Sequence, residues 1–306
     1  MKKITIGICC YNEESNIEAM YEAVTKQMEK FPAYDYEILF EDNASTDGSE
    51  AILEKIVQRD SHVRAIINQA NYGIERSAFN CMKNAAGDAF ISIPCDFQEP
   101  PDLIPEFIRG WEEGHDLVLG QKKGSEEGRI KYSLRSLYYA IIHWFSEGDQ
   151  LEHVTGFGIY DRRVMDVLSE IRQYDPNLLA RYLVCEYGFD IKLISYQQHE
   201  RLRGKSSFTL STYLDFSIDS LCQVSMKPLR LITLFGLFSS CIVFVALVVS
   251  FFAGVIAYSM LFAILLAIAI QIFCLGILGE YMAVILRKVT KKPLVIEKKR
   301  MPNDWV

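Results

Sequence analysis

Short apolar runs alternate along the first two thirds of this chain with stretches whose apolar residues recur every three or four positions. Ile4–Cys10 reads as a strand, and the residues after it put Ile17, Met20, Tyr21, Val24 and Met28 on one stripe of a helix that starts near Glu14. Tyr36–Phe40, Val63–Ile67, Ala89–Ile93 and Leu117–Leu119 repeat the strand pattern. A second helix, carrying Ile52, Leu53, Ile56 and Val57, follows the turn and cap run Asn43-Ala44-Ser45-Thr46-Asp47-Gly48. A third opens at Pro100 and Pro101, presents Leu103, Ile104, Phe107, Ile108 and Trp111 on one face, and stops at Gly114. Strands alternating with crossover helices predict an α/β fold, and in such sheets ligands bind beyond the carboxyl ends of the strands.

The pattern then changes. From Leu231 to Gly279 there are 49 residues without a charge. One helix of that length would span roughly 73 Å, against a hydrocarbon core of about 30 Å, so two spans fit: Leu231–Phe252 and Tyr258–Gly279, with a turn at Gly254–Ser259. Two amphipathic faces precede them, Ile130, Leu134, Leu137, Tyr138, Ile141, Ile142 and Phe145 in one stretch and Leu210, Tyr213, Leu214, Ile218 and Leu221 in the other. The second adjoins the first span and suits an interfacial helix. The domain plan is 1–208 as a cytosolic catalytic domain, 209–229 as an amphipathic juxtamembrane helix, 230–286 as two transmembrane helices and 287–306 as a basic cytosolic tail.

Charge orients this plan. Lys227 and Arg230 precede the apolar hairpin, and Arg287, Lys288, Lys291, Lys292, Lys298, Lys299 and Arg300 follow it, which sets both ends in the cytoplasm at the inner (plasma) membrane. Residues 227–306 hold 9 of the 32 basic and 3 of the 39 acidic residues, so the first 226 hold 23 against 36. An acidic domain of this kind excludes nucleic acid as a partner, and the basic ends are suited to anionic lipid. The 8 cysteines show no C-x-x-C spacing, which predicts reduced, mostly buried thiols. No signal-peptide pattern opens the chain. The small residues Gly236, Ser239 and Ser240 permit packing with a second copy.

Acidic groups follow three of the strands: Glu13 after the first, Glu41-Asp42 after the second and Asp96 after Ala89–Ile93. A carboxylate at a strand end with an amide oxygen two residues on, Asp96 and Gln98, suits a hard cation held against a diphosphate. Glu13 equally suits the first turn of a helix, and Asp42 a turn.

Taken in order, Tyr11-Asn12-Glu13-Glu14, Glu41-Asp42-Asn43-Ala44-Ser45-Thr46-Asp47-Gly48-Ser49, Asn71-Tyr72-Gly73, Asp96-Phe97-Gln98-Glu99-Pro100-Pro101 and Leu275-Gly276-Ile277-Leu278-Gly279-Glu280-Tyr281 resemble family 2 glycosyltransferases over nearly the whole chain. The similarity is to the membrane-anchored polyprenyl-phosphate hexose transferases, the branch of the dolichyl-phosphate mannose and glucose synthases. That resemblance implies a GT-A nucleotide-diphospho-sugar fold with a C-terminal two-helix transmembrane hairpin, a UDP- or GDP-sugar donor, a polyprenyl (undecaprenyl) phosphate acceptor, and Mg2+ or Mn2+. It implies that Tyr11, Glu13, Asp42 and Asp96 line the nucleotide site and that Asp96 and Gln98 hold the metal. It further implies phosphate contacts from Arg201, Arg203 and Lys205, in the run Gln198-His199-Glu200-Arg201-Leu202-Arg203-Gly204-Lys205-Ser206-Ser207, whose forked guanidinium groups and ammonium suit that work. Lys122-Lys123-Gly124-Ser125-Glu126-Glu127 matches a further acceptor-side segment.

Two positions depart from the family pattern. Relatives read Asp-Ala-Asp-Leu-Gln-Asp-Pro-Pro where this chain has Pro94-Cys95-Asp96, so one aspartate is missing. Thr155-Gly156-Phe157-Gly158 stands where many relatives have Gly-Asp-Phe-Arg, and glycine replaces a carboxylate proposed as a base. A phosphate monoester, with a second pKa of about 6, attacks without a base, whereas a sugar hydroxyl needs one. The expected reaction is therefore a single inverting displacement by a lipid phosphate. A glycolipid or polysaccharide acceptor, and a non-catalytic nucleotide-binding scaffold, are the alternatives.

Overall fold

The structure is a computed structural model, and it describes residues 1–123, 151, 153–174, 187–198, 227–253, 256–289, 293 and 295–302. The two amphipathic faces at 130–145 and 210–221, and Arg201, Arg203 and Lys205, lie outside the described residues. The chain divides into two compact units, one of Met1–Ser133, Gly148–Ser207 and Lys291–Val306, the other of Leu134–Glu147 and Phe208–Thr290.

In the first unit the predicted strands form: β1 (Lys3–Cys10), β2 (Asp35–Asp42), β3 (Val63–Asn68), β4 (Ala89–Pro94) and β5 (Leu117–Lys122). Three more join them, β6 (Val154–Asp161), β7 (Ile191–Tyr196) and β8 (Glu297–Met301), in one sheet ordered β7-β5-β6-β4-β1-β2-β3-β8. β1 to β5 and β7 run in one direction; β6 is antiparallel to both β4 and β5, and β8 to β3.

Strand β1 lies at the centre and is buried on both faces, as a parallel strand covered by helices must be. Ile4, Ile6 and Ile8 face one cluster with Ile17, Met20, Val24 and Met28 of α1 (Ile17–Met28), Leu53 and Ile56 of α2 (Ser49–Arg59), and Ile104, Phe107, Ile108 and Trp111 of α4 (Ile104–Glu112). The other face packs under α3 (Ile74–Lys83) and α5 (Arg162–Tyr174) through Phe79, Cys81, Met82, Val164, Met165 and Leu168. β1 meets α3 closely: a Cβ on Gly7 would stand 2.3 Å from the Phe90 ring and 2.8 Å from Cys81 Sγ.

The second unit contains α6 (Lys227–Ala253) and α7 (Ile256–Val289), which pack against each other. Among the described residues one helix is long and apolar enough to cross a membrane, Ala263–Ala283, in which Tyr281 is buried and most of the other described side chains are exposed. The apolar part of α6, Leu234–Ser250, is shorter. Of the expected turn Gly254–Ser259, Ile256–Ser259 belong to α7.

The expected basic tail at 287–306 needs correction. Its residues Glu297–Met301 are strand β8 of the first unit, with Met301 in the core and Lys298 and Lys299 paired with Glu50 and Glu54 of α2. Acidic groups of the same unit, rather than lipid, take these two lysines. Ion pairs with partners hundreds of residues earlier leave no local sequence signal.

Candidate active site

The sheet order reverses between β1 and β4, and ligand clefts in open α/β sheets form beyond the strand ends at such a point. Tyr11 and Glu13 follow β1 there, Asp42 ends β2, and Asp96 and Gln98 follow β4. Their nearness shows in two buried thiols. Cys95 is pushed well up by burial, then by the charges of Glu13 and Asp96; Cys10 is pushed up by burial, then by Cys95 and Asp42. The structure thus brings Glu13, Asp42 and Asp96 around one pair of cysteines.

Backbone strain collects at the same edge. Asn12 (φ 56°), Ala44 (φ 61°), Phe97 (φ 60°) and His153 (φ 60°) are left-handed, and each sits in a loop bordering the strand ends. Left-handed geometry costs a residue with a Cβ on the order of 1–2 kcal/mol, and bulky Phe97 is the least expected there. The loops recover part of this through mutual hydrogen bonds. Asn12 N–H donates to Ser45 Oγ (2.8 Å), and the Thr46 amide donates to Asn12 Oδ1 (2.8 Å). The Gly48 amide donates to Glu14 Oε2 (2.8 Å), and the Glu13 amide to Ser49 Oγ (3.2 Å).

Within this frame the expected residues differ in availability. Tyr11 is 40% exposed, whereas Asp42 is buried. The Asp42 carboxylate accepts the Ser45 amide (3.0 Å) and the Ser45 hydroxyl; burial raises its pKa against these two donors. It therefore holds the Asn43–Gly48 turn in shape. Glu13 Oε2 accepts Asn16 Nδ2 (2.5 Å) at the entrance to α1. Asp96 is buried, with Oδ1 accepting the Gln98 amide at 3.1 Å.

Next to Asp96 lies a group that the motif alone does not reveal. Glu99 is 5% exposed, and its Oε1 lies 3.2 Å from the Tyr196 hydroxyl, 3.4 Å from Thr155 Oγ1 and 3.5 Å from Lys122 Nζ, the first two donating to it. The ends of β5 and β7 and the start of β6 meet here. Burial raises the Glu99 pKa, Lys122 opposes the rise and Asp96 adds to it. Tyr196 is raised too, by burial and then by Glu99. The only sequence signal for the cluster is a polar residue at each strand end, and recognising it requires the strand order.

The two departures also have structural consequences. Gly156, in place of the family's aspartate, has φ 89°, a region in which an aspartate is strained. At Gly158 (φ 153°) a Cβ would stand 2.2 Å from the Val118 carbonyl oxygen, so no side chain fits. Asp161 is not a substitute base. It lies at the opposite edge of the sheet, accepting Trp111 Nε1–H (2.8 Å) and the Arg163 amide (2.9 Å) as a helix cap. A cavity of about 490 Å³ opens at that opposite edge too, but internal pairs such as Tyr34 with Glu112 and Lys2 over Trp111 already occupy its polar groups.

No set of three or more His, Cys, Asp or Glu side chains among the described residues could hold a metal unaided. The donors beyond β4 are hard oxygens, one buried carboxylate and one amide. That set fits a magnesium-type ion, which takes one or two carboxylates and completes its shell with water and substrate phosphate.

The profile of "Glycosyl transferase family 2" matches residues 5–168. The protein CsbB of Bacillus subtilis (strain 168), named a glycosyltransferase, is 30% identical over 98% of this chain and 93% of its own length. The SfII prophage-derived bactoprenol glucosyl transferase of Shigella flexneri is 29% identical over 97% of this chain and 98% of its own. Among solved structures, glucosyl-3-phosphoglycerate synthase from Mycobacterium tuberculosis, in complex with Mn2+, UDP-glucose and phosphoglyceric acid, is 18% identical, covers 72% of this chain and 79% of that one, and has a TM-score of 0.49. The profile match spans β1 to β4 together with the loops that carry Glu13, Asp42 and Asp96, and on that ground the chain belongs to glycosyl transferase family 2: it is a glycosyltransferase of the GT-A fold.

Proposed function

We infer that this enzyme moves a hexose from a UDP- or GDP-sugar to a polyprenyl phosphate at the cytoplasmic face of a membrane, by one inverting displacement. The observation that carries the reading is the near full-length likeness to a bactoprenol glucosyl transferase, apolar helices included. Gly156 is compatible with it. Where relatives place a carboxylate, this chain has a backbone suited to glycine, and a phosphate nucleophile, ionised at neutral pH, needs no base.

The roles follow from position. Tyr11, Glu13 and Asp42 border the nucleoside. Asp96 and Gln98 would hold Mg2+ or Mn2+, which supplies charge neutralisation on the departing nucleoside diphosphate. Lys122, held beside Glu99, adds a fixed cation at the same edge. Arg201, Arg203 and Lys205 are assigned to the acceptor phosphate from their sequence.

Topology supports a two-pass anchor. β7 and β8 belong to one sheet, so the chain that leaves after Tyr196 and rejoins at Glu297 has both ends on one side of any bilayer. Any crossings it makes are then even in number. Exposed apolar side chains such as Phe244 (68%), Leu261 (57%), Phe273 (61%) and Leu275 (64%) make a soluble helical hairpin unfavourable. The apolar part of α6, at about 25 Å, reaches most of the way across, and mismatch of this size is accommodated at modest cost. Basic residues at both ends favour a cytoplasmic position for them.

The test is a donor screen with the full chain in nanodiscs containing undecaprenyl phosphate. Label from UDP-glucose or another hexose donor should appear in an acid-labile lipid. Label only in an acid-stable glycolipid or polymer would shift the reading to a hydroxyl acceptor. Nucleotide binding without any transfer would make the protein a scaffold.

A further inference from the structure

Strand β8 does more than close the sheet. Without it β3 would be a bare edge, open to pairing with other chains. With it, Ala65, Ile66, Ile67 and Asn68 pair with Met301, Arg300, Lys299 and Glu297, and the Gln69 amide donates to the Ile296 carbonyl at 2.8 Å. These bonds lead into the Asn71-Tyr72-Gly73 loop, which the Asn43 side chain also holds: its Nδ2 donates to Asn71 Oδ1 (2.8 Å) and its Oδ1 accepts the Tyr72 amide (2.9 Å). Asn43 is the residue after Asp42.

A second, side-chain route runs inward. Arg300 grips Glu297 through Nε to Oε2 (2.5 Å) and NH2 to Oε1 (3.1 Å), and its NH2 also donates to Asn84 Oδ1 (2.9 Å). Glu297 Oε1 accepts Asn80 Nδ2 at 3.1 Å, and the same Nδ2 lies 3.2 Å from Glu41 Oε2. Asn68 Nδ2 donates to Glu41 Oε1 at 3.1 Å. Glu41 is fully buried, so this chain of bonds holds the last turn of α3 and the end of β2 at a fixed spacing. The residue after Glu41 is Asp42.

We propose that Glu297 and Arg300 are positioning residues for the donor site: through Asn80 they hold Glu41, and with it the β2 end that carries Asp42 and Asn43, in the geometry that receives the nucleotide. The inference rests on the donor reading given above. It makes the segment that emerges from α7 a working part of the site, acting through Asn80 and Glu41. The other basic residues of the strand, Lys298 and Lys299, pair with Glu50 and Glu54 on α2 and only fasten the strand down.

That division supplies the test, made on the full chain in detergent micelles by titrating UDP and GDP calorimetrically. Arg300→Met and Glu297→Ala should weaken binding of the preferred nucleotide by about tenfold, an effect of about 1.4 kcal/mol. Glu297→Gln keeps an oxygen for Asn80 and should recover part of the loss. Lys298→Met with Lys299→Met should lower the melting temperature yet leave nucleotide affinity within about twofold. The pH profile adds a readout that strand anchoring alone would not move. The groups facing Glu41 are Asn68 on β3, Asn80 and Cys81 on α3, and Glu297 and Arg300 on β8. Arg300 pulls the Glu41 titration down and Glu297 pushes it up, so Arg300→Met should shift the break in affinity to higher pH and Glu297→Gln to lower pH. If affinity tracks melting temperature across all the variants, or if Arg300→Met binds as wild type does, the inference fails. A wild-type protein that binds neither nucleotide would instead overturn the donor reading.

Discussion

Two buried glutamates, Glu99 after β4 and Glu41 on β2, lie on either side of the switch point and are held by different means. Glu99 faces the open edge, with the Lys122 ammonium 3.5 Å away and two hydroxyls donating to it. Glu41 is enclosed beneath α3, where its immediate donors are the neutral amides of Asn68 and Asn80 and the nearest cation, Arg300, is bound to Glu297. Burial pushes Glu41 up to about 8, with the two amides holding it back, Glu297 adding to the rise and Arg300 opposing it. A direct cation opposes the rise that burial imposes on Glu99, whereas the amide donors around Glu41 leave it close to neutral at physiological pH. One glutamate therefore holds a cation at the reacting edge, and the other serves shape.

The comparison can be broken at its catalytic end first. Asp96→Ala should cost at least about a hundredfold in transfer rate, the scale of losing a charge-stabilising group, with membrane insertion intact. Transfer at the wild-type rate would remove Asp96 from the metal site. Next in size, Glu99→Gln leaves Lys122 without its counter-charge. A loss of about tenfold in kcat/KM is expected, and Lys122→Met should add little on top of it because both act through one contact. Multiplying losses would show that the two residues work independently.

Glu41→Gln addresses the other side through pH. Its folded pKa lies above the unfolded value, so the folded state keeps the proton that the unfolded state has lost. Wild-type stability should therefore fall as pH rises from about 4.5 towards about 8. The Gln variant should lack that decline, melting higher than wild type at pH 8.5 by about 2–4 °C per kcal/mol recovered. Equal pH slopes in the two proteins would mean that Glu41 is solvated. The smallest effect belongs to Tyr196→Phe, which removes one of the two hydroxyls on Glu99. About 1 kcal/mol of stability should go, read as a small drop in melting temperature, with Thr155 and Lys122 still in place.

The strands β1 to β5, the helices between them and the acids at their ends were legible because each is written in adjacent residues. A run such as Ile4–Cys10 states its own burial, and Asp96-Phe97-Gln98-Glu99 its own turn. Helix α3 gave no such signal. Its buried face mixes Ser77, Phe79, Asn80, Cys81 and Met82, polar residues there serving Glu41 rather than solvent. Strand β8, Glu-Lys-Lys-Arg-Met, reads as an exposed charged tail, and only its pairing with β3 and α2 makes it a strand.

By itself the sequence determined the α/β class, the uncharged 49-residue segment, the family and the positions of Glu13, Asp42, Asp96 and Gln98. Periodicity and turn chemistry are local properties, and local order preserves them. Tertiary structure alone decided that Glu99 meets Lys122, Thr155 and Tyr196, and that the last strand reaches Glu41 through Asn80. Those contacts join residues from 23 to 217 positions apart, and what brings them together is the order of strands in the sheet, which burial of the whole core selects.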